Sequence, residues 1–313
     1  MVLQEETLRR LSIIKYLFRL ACDQSREAEI PAALSLLSFH TAAELFLYLA
    51  AEHVDALGKS ELTFMDYWGV VNPKLPAGVS LGQKELMRRL NTARGALKHR
   101  GNLPSKHDVE AFRAGTALFF EESCQNVLGI DFQSISLAEL VALKPARLAL
   151  RTAESLLENG KYKESAEHSS LAFDNLLKDY ETRKSDDFRE SPFRVLDRHG
   201  LPSHRFGASP LGPSADSLLT SDLRDFSREV FSVIRALDER VRILALGIDF
   251  RQYTRFRMLA PGVRWSMGSD EPSFSWPGNA VDSVDQETCE FIEGFVIDVA
   301  LQLLEFDLVV AGA

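Results

Sequence analysis

The chain combines an apolar stripe with a cluster of basic side chains in one stretch, Leu86-Met87-Arg88-Arg89-Leu90-Asn91-Thr92-Ala93-Arg94-Gly95-Ala96-Leu97-Lys98-His99-Arg100-Gly101. On a helix, whose residues advance by about 100° each, four apolar residues of this stretch share one narrow side: Leu86, Leu90, Ala93 and Leu97. Glycine at position 101 is a common helix terminator. The pattern therefore predicts a helix from about Gly82 to His99.

Helical spacing of apolar residues continues on both sides of this stretch. It predicts a first helix over residues 8–21, a second over residues 31–56, and a fourth that ends near Leu128. The second helix is apolar nearly all round, as expected of a central buried helix. Ser105 and Asp108 have the spacing of a capping box at the start of the fourth helix. Because strand patterns are scarce, we predict an antiparallel four-helix bundle for the first 130 residues.

The second half of the chain is also predicted to be helical, with helices over residues 137–158, 162–184, 217–246 and 286–310. Its two long Pro- or Gly-rich loops are residues 185–216 and 261–282, and the second loop has room for a small hairpin. We therefore divide the chain into a first domain, residues 1–131, and a second helical domain, residues 132–313.

The sequence Gly-Ile-Asp-Phe occurs after a helix in each half of the chain, beginning at Gly129 and at Gly247. Either a helical unit is duplicated, or both copies reflect the same helix-ending chemistry.

Composition excludes several classes of protein. Of the 313 residues, 45% are hydrophobic and 26% charged, which is typical of a globular protein and excludes wholesale disorder. No run approaches 18 consecutive apolar residues, and a signal-peptide pattern is missing, so we expect a cytoplasmic protein without a membrane span. Three distant cysteines, Cys22, Cys124 and Cys289, fit a reducing compartment. The sequence has neither zinc-ligand spacing nor a phosphate-binding glycine loop, so we expect no metal and no cofactor.

The third predicted helix is strongly basic, although the net charge of the whole chain is −9. Between Lys84 and His107, seven Lys or Arg residues stand against one acid, Glu85, which gives a local charge of +6. Such a patch is typical of a surface that contacts a phosphodiester backbone. A solvated helix face is the alternative. Arg94 argues against it, because this residue borders the apolar stripe, where an unpaired charge is costly.

Arg94 and His99 lie about 140° apart around the predicted helix, with Gly95 on the arc between them. We expect the two side chains to flank a polar groove that holds a phosphate, since an arginine fork binds phosphate oxygens and histidine titrates near neutral pH. Further substrate-binding or supporting candidates are Asn91, Lys98 and Arg100 on the same helix and His40 and Glu44 on the second helix. For His40 and Glu44, the alternative is a polar pair at the bundle surface or a satisfied core histidine.

The sequence Arg94-Gly95-Ala96-Leu97-Lys98-His99, at the end of a third helix, resembles the Arg-x4-6-His motif of ribonucleases of the HEPN superfamily. The resemblance covers about residues 1–130 and implies an all-α fold with an HEPN-like four-helix bundle. The second helical domain would then be a possible degenerate HEPN-like copy. Two departures stand out: Gly95 replaces the small polar residue of many members, and Gly101 replaces the tyrosine of one toxin branch. The modified-tyrosine mechanism of that branch therefore does not transfer to this chain.

The resemblance implies metal-independent cleavage of RNA by Arg94 and His99, in a homodimer or higher oligomer whose active site lies at the interface. The alternative arrangement is that the second helical half closes the groove within one chain. The resemblance also implies a role as a toxin or antiviral-defence effector, with a regulatory protein as a further partner. The alternative is a noncatalytic helical module that binds RNA, a nucleotide or a partner protein in the same groove. In the second half, residues 251–257 alternate cations with Tyr253 and Phe256, which can stack on RNA. Packing of these two rings inside the second domain is the preferred explanation.

Overall fold

The computed structural model describes residues 3–188, 217–266, 271–278 and 284–311. These residues are mostly helical, which confirms the predicted all-α fold. The chain divides into two compact units, Met1–Leu140 (unit 1) and Val141–Ala313 (unit 2). Residues 132–140, which the sequence assigns to the second domain, belong to unit 1 because Phe132 and Ile135 are part of its core.

Unit 1 contains four long helices that share one hydrophobic core. Their bounds are Glu5–Ser25 (α1), Glu29–His53 (α2), Lys84–Arg100 (α4) and Lys106–Leu128 (α5), and the short helix Tyr67–Val71 (α3) leads into a 3₁₀ turn, Asn72–Lys74. Helix α2 packs against each of the other helices. The core is rich in phenylalanine: Phe120 stacks on Phe132 with ring centroids 4.6 Å apart, and Phe18 meets both rings edge-on.

Local sequence determines where α4 ends and α5 begins. Gly101 follows α4 in the left-handed region, with φ of 69°, and its N–H donates to the carbonyl of Leu97 at 3.0 Å. The Ser105 side chain accepts a hydrogen bond from the Asp108 N–H, and the Asp108 carboxylate accepts one from the Ser105 N–H. The predicted helix stop and capping box are therefore both confirmed.

The composition of helix α2 predicts burial on all sides, but the structure buries only one side of the helix. One side forms the core, whereas large apolar side chains on the other side are exposed: Ile30, Leu34, Leu37, Leu45 and Tyr48. Among the described residues, α2 is the one helix long and apolar enough to cross a membrane, and 56% of its most apolar window is buried inside the protein. Core helices of soluble proteins meet the same criteria, so the composition of α2 does not assign the chain to a membrane.

Unit 2 contains five helices in the described ranges: Lys144–Glu158 (α6), Tyr162–Phe188 (α7), Ser217–Ala245 (α8), Phe250–Leu259 (α9) and Gln286–Ala311 (α10). Strands Gly262–Trp265 (β1) and Pro272–Ser275 (β2) form the small antiparallel hairpin that the sequence allows. The single helix predicted over residues 137–158 is instead a 3₁₀ turn, Leu137–Leu140, followed by α6. Pro145 explains the break, because proline is tolerated in the first turn of a helix and not in its interior.

The repeated Gly-Ile-Asp-Phe sequence reflects helix-ending chemistry. Gly129 and Gly247 adopt φ of 69° and 70°, and Ile248 is buried behind the second of them. The left-handed glycine and the following isoleucine form the usual end of a helix, so the repeat needs no duplication of a larger unit.

The long loop predicted over residues 185–216 begins later than expected, because helix α7 continues to Phe188. Residues 189–216 lie outside the described residues.

Candidate functional site

Arg94 lies closer to the core than the sequence predicts. The buried side of α4 is formed by Met87, Leu90 and Leu97, whereas Leu86 and Ala93 are only partly buried. Leu86 packs over Gly115 of α5, whose missing side chain leaves room for its methyl groups. The buried side is thus rotated about the helix axis toward Arg94, which is itself half-buried.

Arg94 has no carboxylate within 4.0 Å among the residues that the structure describes. Two arginines on the same helix differ in this respect. Arg88 Nε donates to Glu85 Oε2 at 3.0 Å, and Arg89 Nη2 lies 3.8 Å from Asp108 Oδ1. Arg94 therefore keeps an uncompensated positive charge at the edge of a hydrophobic core, where a bound anion would offset the cost of its burial.

The whole basic patch of the sequence remains positive in the folded unit. In the described ranges, five of its cations have no carboxylate within 4.0 Å: Lys84, Arg94, Lys98, Arg100 and Lys106. Glu85 and Asp108 compensate only the two arginines next to them. A surface with this residual charge attracts a polyanion at long range, with a strength that decreases as salt is added.

His40, Asn91 and Glu44 meet beside Arg94, where α2 contacts α4. His40 is buried, and its Nε2 lies 2.9 Å from Asn91 Oδ1. Its Nδ1 lies 3.8 Å from Glu44 Oε2, and its ring stacks on Phe64 with centroids 4.2 Å apart. Burial lowers the pKa of His40; the Asn91 hydrogen bond and Glu44 oppose this, whereas the Arg94 charge adds to it. His40 is therefore neutral at neutral pH and donates its Nε2–H to Asn91.

This geometry matches the interpretation of His40 as a satisfied core histidine. Glu44 lies next to His40 and forms no ion pair with Arg94 within 4.0 Å in the described structure, so it does not hold the guanidinium in place. The Asn91 side-chain oxygen is occupied by His40. The Asn91 amide nitrogen remains as the group that can donate a hydrogen bond to a ligand beside Arg94.

Two aromatic residues complete this cluster and were not identified from the sequence. Phe64 forms the ring stack with His40, and Tyr67 lies close to Glu44. Burial raises the pKa of Tyr67, and the nearby Glu44 and Tyr48 raise it further. The signal for both residues was the group of aromatic side chains at positions 64–68, between the second and third predicted helices.

His99 lies on a different side of α4 from Arg94. It is exposed in the last turn, between Lys98 and Arg100, and about 140° around the helix axis from Arg94. Gly95 lies between them, and a Cβ at Gly95 would meet no atom within 4 Å. One chain therefore presents an open surface between the two side chains, and no contact joins them in its described residues.

A cleft of about 460 Å³ lies on the side of α4 that carries His99. It is lined by Arg88, Arg89 and Asp108 and by the apolar side chains of Leu103 and Phe112. His99 follows Arg88 by eleven residues, or three helical turns, so it continues the same row of side chains just beyond the cleft. Arg94 belongs to the other side of the helix and does not line the cleft.

Two further sequence patterns bear on RNA binding: the aromatic and basic residues 251–257, and a second Arg-x4-His spacing. Tyr253 and Phe256 of α9 are buried, which supports the packing explanation and leaves these rings unavailable to stack on RNA. The spacing Arg-x4-His occurs a second time in the sequence, at Arg194 and His199. This pair lies outside the described residues, and it shows that the spacing by itself does not single out α4.

Within the described ranges, no group of three or more His, Cys, Asp or Glu side chains is placed to hold a metal ion. Burial raises the pKa of the Cys22 and Cys289 thiols to about 11, so neither is a ready nucleophile at neutral pH. The unpaired Arg94 and the exposed His99 thus remain the candidate site of unit 1.

Comparisons of the chain with models of protein families, with curated proteins and with solved structures find no match.

Proposed function

We propose that unit 1 is a metal-independent endoribonuclease of the HEPN type, with Arg94 and His99 as its catalytic residues. The proposal rests on one observation above all. Arg94 is half-buried at the core edge, and no carboxylate compensates it among the described residues. A protein gains little stability from such a charge, whereas a site for an anionic substrate needs it.

Arg94 and His99 have the chemical groups that RNA cleavage by intramolecular transesterification requires. The ribose 2′-oxygen attacks the adjacent phosphorus while the bond to the 5′-oxygen breaks, which gives a 2′,3′-cyclic phosphate and a 5′-hydroxyl. Arg94 binds the phosphate and stabilises the negative charge that grows on it. His99 exchanges a proton with the 2′-hydroxyl or with the leaving 5′-oxygen. Lys98 and Arg100, which flank His99, bind neighbouring phosphates.

The proposed active form is a homodimer in which the α4 helices of two copies face each other. In one chain, Arg94 and His99 lie on different sides of α4, so these two side chains are poorly placed to contact the same phosphate. A two-fold partner would place its own Arg94 and His99 opposite the first pair. Gly95 has open space above it and permits the close approach of a second helix.

We expect purified protein to cut RNA in the presence of EDTA at the same rate as without it. Arg94 and His99 provide charge stabilisation and proton transfer without a metal ion. The measurement is the rate of cleavage of a labelled single-stranded RNA, with added magnesium as the comparison. Activity that disappears with EDTA and returns with magnesium would contradict a metal-independent mechanism.

We expect Gly95→Leu to lower RNA cleavage by about tenfold or more, because the larger side chain keeps the two α4 helices apart. Gly95→Ala is the matched control. Its methyl group enters open space, and alanine stabilises a helix interior by about 1 kcal/mol relative to glycine. Helical content measured by circular dichroism should be unchanged in both variants. Equal activity of Gly95→Leu and the parent would reject a site shared between two α4 helices.

The alternative function, a noncatalytic module, is favoured by the cleft beside α4. Its lining combines the planar guanidinium groups of Arg88 and Arg89 with apolar side chains, surfaces on which a nucleotide or an unpaired RNA base can stack, although neither Arg94 nor His99 lines it. Binding of RNA without cleavage, lost in Arg88→Ala and retained in Arg94→Ala, would favour this alternative. A cytoplasmic toxin or antiviral-defence role with a regulatory protein partner belongs to the main proposal and is supported by the family resemblance alone.

A further inference from the structure

Asn91 lies beside Arg94, and one end of its side-chain amide is fixed. The two residues are three positions apart on α4, so their side chains are neighbours on its surface. Asn91 Oδ1 lies 2.9 Å from Nε2 of His40, which is buried on α2. Within the described residues, the Asn91 Nδ2 group has no hydrogen-bond partner. The nitrogen end of this amide is therefore free to bind a ligand.

The orientation of an asparagine amide decides whether it attracts or repels an anion. The oxygen and nitrogen ends have nearly the same shape, so hydrogen-bond partners determine which end faces a given side. The nitrogen end donates to phosphate oxygens, whereas the oxygen end can only accept hydrogen bonds and repels them. In this protein, His40 donates its Nε2–H to the Asn91 oxygen, which leaves the nitrogen end for the ligand.

The His40 ring is held in place and kept neutral by its surroundings. It stacks on Phe64 with ring centroids 4.2 Å apart. The charged groups that act on it are Glu44 on α2 and Arg94 on α4. Glu44 Oε2 lies 3.8 Å from the ring Nδ1, which is longer than a hydrogen bond. Burial and the Arg94 charge outweigh Glu44 and the Asn91 hydrogen bond, so the pKa of His40 is lowered and its N–H remains directed to Asn91.

We propose that Asn91 and Arg94 together bind one RNA phosphate and that His40 is the positioning residue that presents the Asn91 N–H to it. The Cβ atoms of neighbours at this helical spacing are about 5–6 Å apart, so both side chains can reach the same phosphate group. Arg94 supplies the charge, and Asn91 supplies a second donor of fixed direction. The inference rests on the proposed function for its ligand, RNA, but it concerns binding and does not require cleavage.

Binding of an RNA that cannot be cut tests the role of Asn91. The probe is a fluorescein-labelled 2′-O-methyl oligonucleotide, which lacks the hydroxyl needed for cleavage, and the measurement is fluorescence anisotropy at constant salt. Asn91→Ala should weaken binding about tenfold, as expected for loss of a hydrogen bond to a charged group. Asn91→Asp should weaken it further, because a carboxylate of the same shape repels the phosphate. Thr41→Ala is the control; this exposed residue follows His40, donates to the Leu37 carbonyl of its own helix, and should be replaceable without effect.

Two substitutions of His40 separate positioning from packing. His40→Gln keeps a donor for Asn91 and loses the ring, whereas His40→Phe keeps a ring against Phe64 and loses the donor. If His40 positions Asn91, His40→Gln should bind the oligonucleotide within about twofold of the parent, and His40→Phe about threefold or more weakly, because the amide is then free to rotate. Circular dichroism checks that both variants fold. Equal binding by the two variants, or the opposite order, would mean that His40 only fills space and would overturn its positioning role.

The His40 ring also reports where the phosphate binds. The Arg94 charge lowers the pKa of His40, so a phosphate that offsets this charge should raise that pKa. Proton NMR titration measures it with and without the oligonucleotide, and the ring signal is identified by its absence in His40→Gln. The rise should be lost in Arg94→Ala.

The outcomes distinguish this site from the ribonuclease proposal. Protein that binds the oligonucleotide as expected but does not cut RNA would contradict the ribonuclease and support the binding site. Binding by Asn91→Ala equal to that of the parent, or a pKa of His40 unchanged by the oligonucleotide, would overturn the site. Nitrogen chemical shifts that place the neutral ring proton on Nδ1 would also overturn it, since Asn91 would then donate to His40 and turn its oxygen toward the phosphate.

Discussion

Arg94→Ala and His99→Ala are each expected to lower RNA cleavage by about 10²-fold or more. Loss of Arg94 removes the charge that stabilises the phosphate in the transition state, and loss of His99 removes the group that transfers a proton. Because both residues act on the same step, the double variant should lose less than the product of the two single effects. The measurement is the single-turnover rate on a labelled RNA substrate.

The second Arg-x4-His sequence provides a control matched in spacing. Arg194→Ala and His199→Ala should leave the cleavage rate within about twofold of the parent, since the proposed site lies on α4. Arg88→Ala is a control matched in helix and charge, because Arg88 is compensated by Glu85. If the Arg194 and His199 variants lose activity while the Arg94 and His99 variants keep it, the catalytic assignment moves to the second pair.

Features that depend on neighbouring residues could be predicted from the sequence. Gly101 ends α4 and Ser105 begins α5 as predicted, because each acts through hydrogen bonds within its own helix end. The same holds for Gly129 and Gly247. Their left-handed conformation is a local property of glycine after a helix, so the shared Gly-Ile-Asp-Phe sequence correctly predicted a helix end at both positions.

Features that depend on distant residues could not be predicted in the same way. Helical spacing placed Leu86 and Ala93 on the buried side of α4, but the structure buries Met87 instead. The contact of Leu86 with Gly115 of α5 joins two helices, and helical spacing within α4 does not reveal it. The contact of His40 with Phe64 likewise joins α2 to a segment that has no regular pattern.

The candidate site shows the same division between local and distant information. The spacing of Arg94 and His99 determines their angular separation, so their placement on different sides of α4 was predictable from the helix alone. The polar groove expected between them is instead an open surface in one chain. Whether Arg94 has a partner depends on carboxylates elsewhere in the chain. Glu44 was a reasonable candidate, since it lies one turn from His40, but it lies beside the histidine and not beside the guanidinium.

Phe120→Ala is expected to lower the free energy of unfolding of unit 1 by about 3–5 kcal/mol. Phe120 is fully buried; its ring stacks on Phe132 and contacts the edges of other rings in the core. Truncation leaves a cavity among rigid rings that cannot move in to fill it, so the cost combines lost burial with an unfilled volume. Urea denaturation followed by fluorescence of the buried Trp68 measures the change, with Trp265→Phe and Trp276→Phe in both proteins to remove the signal of unit 2.

Leu118→Ala is the matched control, because Leu118 lies on the same helix, α5, and is 46% exposed. It should change the free energy of unfolding by no more than about 0.5 kcal/mol. For Phe120→Ala, the urea midpoint should fall by about 1 M or more, since unfolding of a small unit responds to urea by about 1–3 kcal/mol per molar. Equal midpoints for the two variants would mean that the phenylalanine cluster is not the main support of unit 1. In that case the packing that holds α4, and with it Arg94, at the core edge would have to come from the contacts of Met87 and Leu97.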